Sequence, residues 1–265
     1  MLANVSFVTT LQCTLCGTEV AADRLHTVCP ACQGSLFVRY DLKAVAKAVN
    51  PKVLSARSQA DRSMWKYREV MPAETPVTLG EGQTPLLPAR RLGAAMGAER
   101  LYVKDEGLNP TGSFKARGLG CAVTMLKQFG VKKVAIPTAG NAGSALAAYA
   151  AAAGIEAHIF APADVPKGNL AEYNFYGAKV TMVDGLISDY AKLVQQGRER
   201  EGWYDVSSMK EPYRVEGKKT MGYEVVEQLG WKIPDVIFYP TGGGVGLIGM
   251  WKAFDEMQYL GWIGA

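Results

Sequence analysis

Residues 109–118 read Asn-Pro-Thr-Gly-Ser-Phe-Lys-Ala-Arg-Gly and place one lysine, Lys115, just past a turn built from Asn109, Pro110 and Gly112. An apolar run from Leu101 precedes the turn, and Leu119, Ala122, Val123 and Leu126 follow it at helical spacing. Ser113 is suited to cap that helix, which puts Lys115 in its first turn. Positive charge is disfavoured there, because a helix N-terminus already carries a positive partial charge. An amine kept close to neutral can attack a carbonyl carbon and hold a cofactor aldehyde as a Schiff base. For this segment alone, a solvated surface lysine is the alternative.

Two further segments carry groups that such a cofactor needs. Ile136-Pro-Thr-Ala-Gly-Asn-Ala-Gly-Ser144 lies between a strand-like run and an alanine-rich helix. Gly140 and Gly143 let backbone approach a ligand, and Asn141 between them offers a donor and an acceptor. Tyr239-Pro-Thr-Gly-Gly-Gly-Val-Gly-Leu-Ile-Gly249 follows the apolar run Val236-Ile-Phe-Tyr and opens another helix. Glycines at a helix N-terminus expose N–H groups to an anion, so this segment has the form of a phosphate cradle.

Strand-like and helix-like stretches alternate from about residue 90. Strands are expected near 101–104, 133–137, 157–161, 179–183 and 235–239. Helices are expected near 115–129, 143–153, 168–176, 188–201 and 217–229. This alternation predicts an α/β fold whose parallel sheet is covered by helices on both faces. Ligands of such sheets bind beyond the carboxyl ends of the strands. The lysine, asparagine and glycine segments each follow a strand there, so they are expected to form one site. Residues 41–75 read as a helical connector, with Leu42, Val45, Ala46 and Val49 at helical spacing until Pro51 breaks it.

Residues 1–40 read as a separate small unit. Cys13-x2-Cys16 and Cys29-x2-Cys32 form two matched knuckles twelve residues apart, each near a glycine, Gly17 or Gly34. Four thiolates at this spacing suit a tetrahedral structural zinc, with disulfides or coincidence as the alternatives. Such a site supplies ~10–16 kcal/mol of apparent binding energy, enough to fold a unit with little core. Cys121 is expected to be a small buried hydrophobe. His26 lies between the knuckles and could be read as a ligand, but four cysteines already close the site; His158 is read as structural.

The motifs resemble those of pyridoxal-phosphate enzymes of fold type II, the tryptophan-synthase-β-like group, and within it the threonine synthase family. The likeness rests on Glu81-Gly-Gln-Thr-Pro-Leu86, Val103-Lys-Asp-Glu-Gly-Leu-Asn-Pro-Thr-Gly-Ser-Phe-Lys-Ala-Arg-Gly118, Pro137-Thr-Ala-Gly-Asn-Ala-Gly143, Lys210-Glu-Pro-Tyr-Arg-Val-Glu-Gly-Lys-Lys-Thr220 and Tyr239-Pro-Thr-Gly-Gly-Gly244, in the family's order. It covers roughly residue 75 to the last residue. The resemblance implies that Lys115 binds pyridoxal 5'-phosphate and then acts as general acid and base. It implies that Asn141 bonds the ring's phenolic oxygen, and that Gly242, Gly243, Gly244, Val245 and Gly246 hold the phosphate through N–H groups. Ser113, Thr138, Arg214 and Lys218 are implied to bind the substrate's carboxylate or phosphate. The implied reaction converts O-phosphohomoserine and water to threonine and phosphate. The implied body, residues 76–265, lacks the family's C-terminal segment, which carries the group facing the pyridine nitrogen. A homodimer is implied as well.

The net charge of +4, with signs mixed, suits small anionic ligands and argues against nucleic acid as partner. No run of eighteen apolar residues suggests a membrane span, and residues 1–10 lack the pattern of a secretory leader, so a cytoplasmic protein is expected. Three other readings compete. Gly244-x-Gly246-x-x-Gly249 matches a dinucleotide fingerprint, but only sixteen residues follow it, too few for the acidic strand end that fingerprint needs. A ribbon joined to a body that no longer catalyses is the second. The third is another fold type II activity, cysteate synthase-like or an amino-acid ammonia-lyase. The basic block around Arg214 favours a phosphorylated substrate over these.

Overall fold

The computed structural model describes residues 6–57, 61–185 and 187–264. The first five residues of the expected leaderless start lie outside the described residues. Near the N-terminus, β1 (Val8–Cys13), β2 (Glu19–Ala21) and β3 (Leu36–Tyr40) form an antiparallel sheet in the order β2-β1-β3. Helix α1 (Leu42–Ala48) follows, its first turn satisfied by Asp41, whose side chain accepts from Ala44 N at 2.9 Å. It ends before Pro51, as the sequence predicts. Pro51 then opens a second helix, α2 (Pro51–Arg57), because a missing N–H costs nothing at a first helical position.

The pair β4 (Leu86–Pro88) and β5 (Tyr102–Lys104), with α3 (Arg90–Met96) between them, is antiparallel and stands apart from the main sheet. The remaining elements alternate: α4 (Lys115–Gln128), β6 (Lys133–Pro137), α5 (Asn141–Ala153), β7 (Glu156–Pro162), α6 (Lys167–Phe175), β8 (Lys179–Val183), α7 (Ile187–Arg200), β9 (Tyr204–Asp205), α8 (Tyr213–Gln228) and α9 (Val245–Tyr259). Four of the strands form a parallel sheet in the order β8-β7-β6-β9.

Two expectations need correction. The strand near 101–104 forms, but as half of an antiparallel hairpin and not as a member of the parallel sheet. The run 235–239 is not a strand. No described strand lies alongside it to complete a ladder, and Val236 and Phe238 are 67% and 90% exposed. A strand exists only through its pairing, so an apolar β-branched run without a neighbour stays irregular. The short strand β9 is an addition that periodicity does not reveal. No described helix is long and apolar enough to cross a membrane.

Helix α4 organises the interior. Ala116 to Leu126 are all buried. Leu119, Val123 and Leu126 face a core shared with Val134, Ile136, Leu146, Tyr149 and Ile159. Cys121, Ala122 and Met125 face the other way, into a core shared with Leu11, Val38, Trp65 and Tyr213. Cys121 is thus the buried hydrophobe that its sequence context predicts. A helix buried on every side is clamped by its neighbours, which fixes where its first residue, Lys115, begins. The alanines of α5 let that helix pack closely along α4.

Charge is also buried. Arg117 is completely enclosed and bonds Glu106 (Nε to Oε2, 2.6 Å) and Glu224 (Nη1 to Oε1, 2.6 Å). A second network joins Glu216, Lys219, Lys252 and Glu256 between α8 and α9. Tyr40, at the end of β3, reaches into it and donates to Glu216 at 2.7 Å.

Candidate active site

The site is built around the start of α4. Lys115 is the first helical residue; the N-cap position falls on Phe114 and not on Ser113 as the sequence suggests, although the Lys115 N–H does donate to Ser113 Oγ at 3.3 Å. The Lys115 amine lies 3.9 Å from the centre of the Phe114 ring, and the Lys218 amine lies 3.6 Å from the same ring. Lys218, buried on α8, also donates to the Phe114 carbonyl oxygen. Arg214, one turn earlier on α8, is buried too; it donates to Val206 O at 2.8 Å, while its Nε finds no partner among the described residues.

Among the described residues, Lys115, Lys218 and Arg214 have no carboxylate within ion-pairing distance. Burial lowers the proton affinity of Lys115, and the Arg214 charge lowers it further. Burial pulls Lys218 well below the usual lysine range, aided by Lys115 and Arg214. Burial lowers Arg214 as well, in spite of Glu211 and Asp205. Glu211 is itself pushed up to about 7 by burial, and it accepts from the N–H groups of Tyr213 and Arg214 at the head of α8. Three basic side chains, held together with no carboxylate in ion-pairing distance among the described residues, form a site that favours an anion.

The glycine segment reaches this cluster through Tyr239. Its ring packs edge-on against Phe114, with centroids 5.6 Å apart. Its hydroxyl lies 1.9 Å from where a Cβ on Gly246 would stand, so only glycine fits there. Helix α9 starts at Val245 with no side-chain cap. The first N–H groups of a helix have no partner within it, so this end can receive a phosphate. Gly242 and Gly244 leave the approach open.

Asn141 begins α5, and Thr138 Oγ1 accepts from Gly140 N at 3.3 Å in the loop before it. Among the described residues no hydrogen bond links Asn141 to Lys115. The structure therefore joins Lys115, Ser113, Lys218, Arg214 and the 242–246 turn through shared contacts, whereas Asn141 and Thr138 are linked to α4 only through the packing of α5 along it. The convergence does not come from one sheet edge, as the sequence suggests, since only Asn141 and Thr138 follow a strand of the parallel sheet. Sequence reasoning missed Phe114 and Tyr239, which stitch the cluster together. Their adjacency to Lys115 and to the glycines was the only signal available.

The donor set fits pyridoxal phosphate: an amine of lowered basicity, a carboxamide and a helix end with free N–H groups. A cleft of about 640 Å³ between Leu25, Phe129, Arg198 and Trp203 contains none of these residues and is not this site.

The model of the family described as "Pyridoxal-phosphate dependent enzyme" matches residues 77–263. The chain belongs to this family. As a pyridoxal-phosphate-dependent enzyme chain, it is 39% identical to a threonine synthase of Methanosarcina acetivorans over 253 residues, covering 95% of this chain and 61% of the relative. It is 36% identical to a threonine synthase of Methanocaldococcus jannaschii over 254 residues, covering 94% and 62%. It thus spans about three fifths of the length of these relatives. Among solved structures it resembles a T.th. threonine deaminase, with a TM-score of 0.58 and 29% identity over 68% of this chain and 57% of the other. These neighbours agree with the fold type II architecture.

The four cysteines at the end of β1 and in the turns and loops of the N-terminal unit also converge. Their sulfurs all lie within 4.8 Å of one another, with Cys13–Cys32 at 3.4 Å, Cys16–Cys29 at 3.6 Å and Cys16–Cys32 at 3.4 Å. A zinc with ~2.3 Å bonds to sulfur has tetrahedral edges of about 3.8 Å, so the donor set fits that metal. All four cysteines are free, and none of them is in a disulfide.

Proposed function

We propose that this chain carries the catalytic machinery of a threonine synthase, which converts O-phosphohomoserine and water to threonine and phosphate. The observation that carries the reading is the cluster of Lys115, Lys218 and Arg214 without a carboxylate partner, which an unphosphorylated amino acid would leave unbalanced. The likeness to threonine synthases at 36–39% identity supports it.

Lys115 would hold pyridoxal phosphate by its aldehyde, Asn141 would meet the phenolic oxygen, and the N–H groups of Gly242, Gly243, Gly244, Val245 and Gly246 would take the phosphate. When bound, the cofactor supplies an electron sink for negative charge developing on substrate carbon. Once free, the Lys115 amine is suited to move protons at the α, β and γ carbons, because burial and the Arg214 charge lower its basicity and so ease release of its proton. Phosphate leaves the γ carbon and water adds at the β carbon. Arg214 presents a buried unpartnered Nε–H for the departing phosphate. Lys218 adds charge from behind Phe114 and fixes the carbonyl next to Lys115. Ser113 and Thr138 would bind the substrate carboxylate.

The test is phosphate release by the purified chain supplied with pyridoxal phosphate, from O-phosphohomoserine against serine and threonine. Phosphate release from the first, with no ammonia from the others, is expected. Ammonia release from serine or threonine would instead establish the lyase alternative. Arg214→Ala should raise the substrate KM by roughly tenfold to a hundredfold, the loss of one charge-assisted bond of about 1.5–3 kcal/mol, and change kcat less.

Residues 1–40 would form a zinc ribbon, residues 41–75 a connector and residues 76–265 the catalytic body. About one zinc per chain should be found by metal analysis. Cys29→Ser, at a fully buried ligand, should lose the metal and lower the thermal midpoint. Full metal retention by that variant would end the ribbon assignment.

A further inference from the structure

The loop that carries Thr138 and Asn141 is clamped from outside by α6. Two residues on one face of that helix, Asn169 and Tyr173, hold it. Tyr173 donates to Gly140 O at 2.7 Å, and its ring comes within 2.6 Å of where a Cβ on Gly143 would stand. Asn169 Nδ2 donates to Asn141 Oδ1 at 3.1 Å and to Ser144 Oγ at 2.9 Å. An amide nitrogen has two hydrogens, so both bonds form together. Ser144 is fully buried, which anchors Asn169 to the body of α5.

A carboxamide accepts at one end and donates at the other. With Oδ1 of Asn141 turned to Asn169, the opposite end of the amide is Nδ2, which only donates. We propose that Asn169 is a positioning residue that fixes Asn141 as a donor, so that the site selects the ionised, phenolate form of the cofactor ring oxygen. A hydrogen bond given to the charged form of an acid lowers its pKa. This inference rests on the assignment of Asn141 to that oxygen.

Asn169→Asp replaces a donor with an acceptor of nearly the same shape. Its carboxylate would take Asn141 Nδ2 and turn Oδ1 towards the ring. In protein loaded with pyridoxal phosphate, the pH midpoint of the cofactor's visible absorbance change should rise by about one unit or more in Asn169→Asp, and by less in Asn169→Ala. A role in folding alone would lower the thermal midpoint of both variants and leave the absorbance midpoint where it is. The second measurement uses the cofactor-free protein. The side-chain NH2 resonances of Asn141, assigned by their loss in Asn141→Ala, should move in both Asn169 variants, and in opposite directions, since only Asn169→Asp gives that NH2 a carboxylate. Asn169 is half-buried on a helix with free surface, so both variants should fold. If Asn169→Asp does not fold, Asn169→Ala decides the matter by the same two readouts. An absorbance midpoint unchanged within about 0.2 units, or resonances that stay in place, would overturn the proposal. A wild-type protein without a cofactor band would defeat the assignment of Asn141 to the ring, whereas the resonances would still decide whether Asn169 orients Asn141.

Discussion

Lys115→Ala should leave a folded protein with no cofactor absorbance band and at least about a thousandfold less phosphate release. The expected loss is large because one amine serves as cofactor anchor and as proton carrier. The stability expectation runs the other way. Lys115 has no ion-pair partner among the described residues, and burial and the Arg214 charge both disfavour its protonated form. Removing an amine whose charged form burial and Arg214 disfavour relieves that cost, so the thermal midpoint should stay level or rise. An ordinary surface lysine would show neither effect. A Lys115→Ala variant that kept both the band and its turnover would refute the site.

Arg117→Met should be the most destabilising single change at the head of α4. Among the described residues, Arg117 is the sole guanidinium touching Glu106 and Glu224, and Glu224 is almost wholly buried. Burial alone would raise both carboxyl pKa values. The Arg117 charge and its hydrogen bonds, joined at Glu224 by Lys104, together outweigh burial, so Glu106 lies below its usual range and Glu224 is held at about 2. Depressed carboxyl pKa values contribute stability that is present above about pH 4.5 and lost as pH falls through the folded values. Arg117→Met removes the compensating charge and should cost about 3–5 kcal/mol at pH 7. Glu224 keeps Lys104 at 2.7 Å, which leaves Glu106 the more exposed to the loss. The gap between variant and wild type should narrow at pH 4, where the orphaned carboxyls take up protons. Urea unfolding at both pH values measures this. A gap that stayed constant would mean that packing, not charge, accounts for the loss.

Arg117 also shows how far the sequence could be read. It stands two residues from the key lysine, yet its partners Glu106 and Glu224 sit far apart in the chain, and no spacing rule links them. Local signals did better. The apolar periods that set α4, β6, β7 and β8 placed these elements to within a residue or so, because α4, β6 and β7 are largely buried by described neighbours and β8 is paired along its length with β7. The run 235–239 carries the same signal and fails for want of a neighbouring strand. Lys115 and the 242–246 turn were legible because they combine unusual residue types with turns. Asn169 was not, since a lone asparagine in a helix of ordinary composition gains its meaning only from what lies across the loop.

The small N-terminal sheet does not stand free of the rest. Phe37 of β3 packs with Val215 of α8 and Val245 of α9, next to Arg214 and the glycine turn. Ser35 donates to Met209 O at 3.0 Å, and Tyr204 donates to His26 O at 2.6 Å. Deleting residues 1–40 would therefore act as a core mutation and not as the trimming of an appendage. It would leave Tyr213, Cys121 and Met125 facing water. Heat should melt the whole chain in a single calorimetric endotherm, with the cysteine cluster and the lysine site lost together.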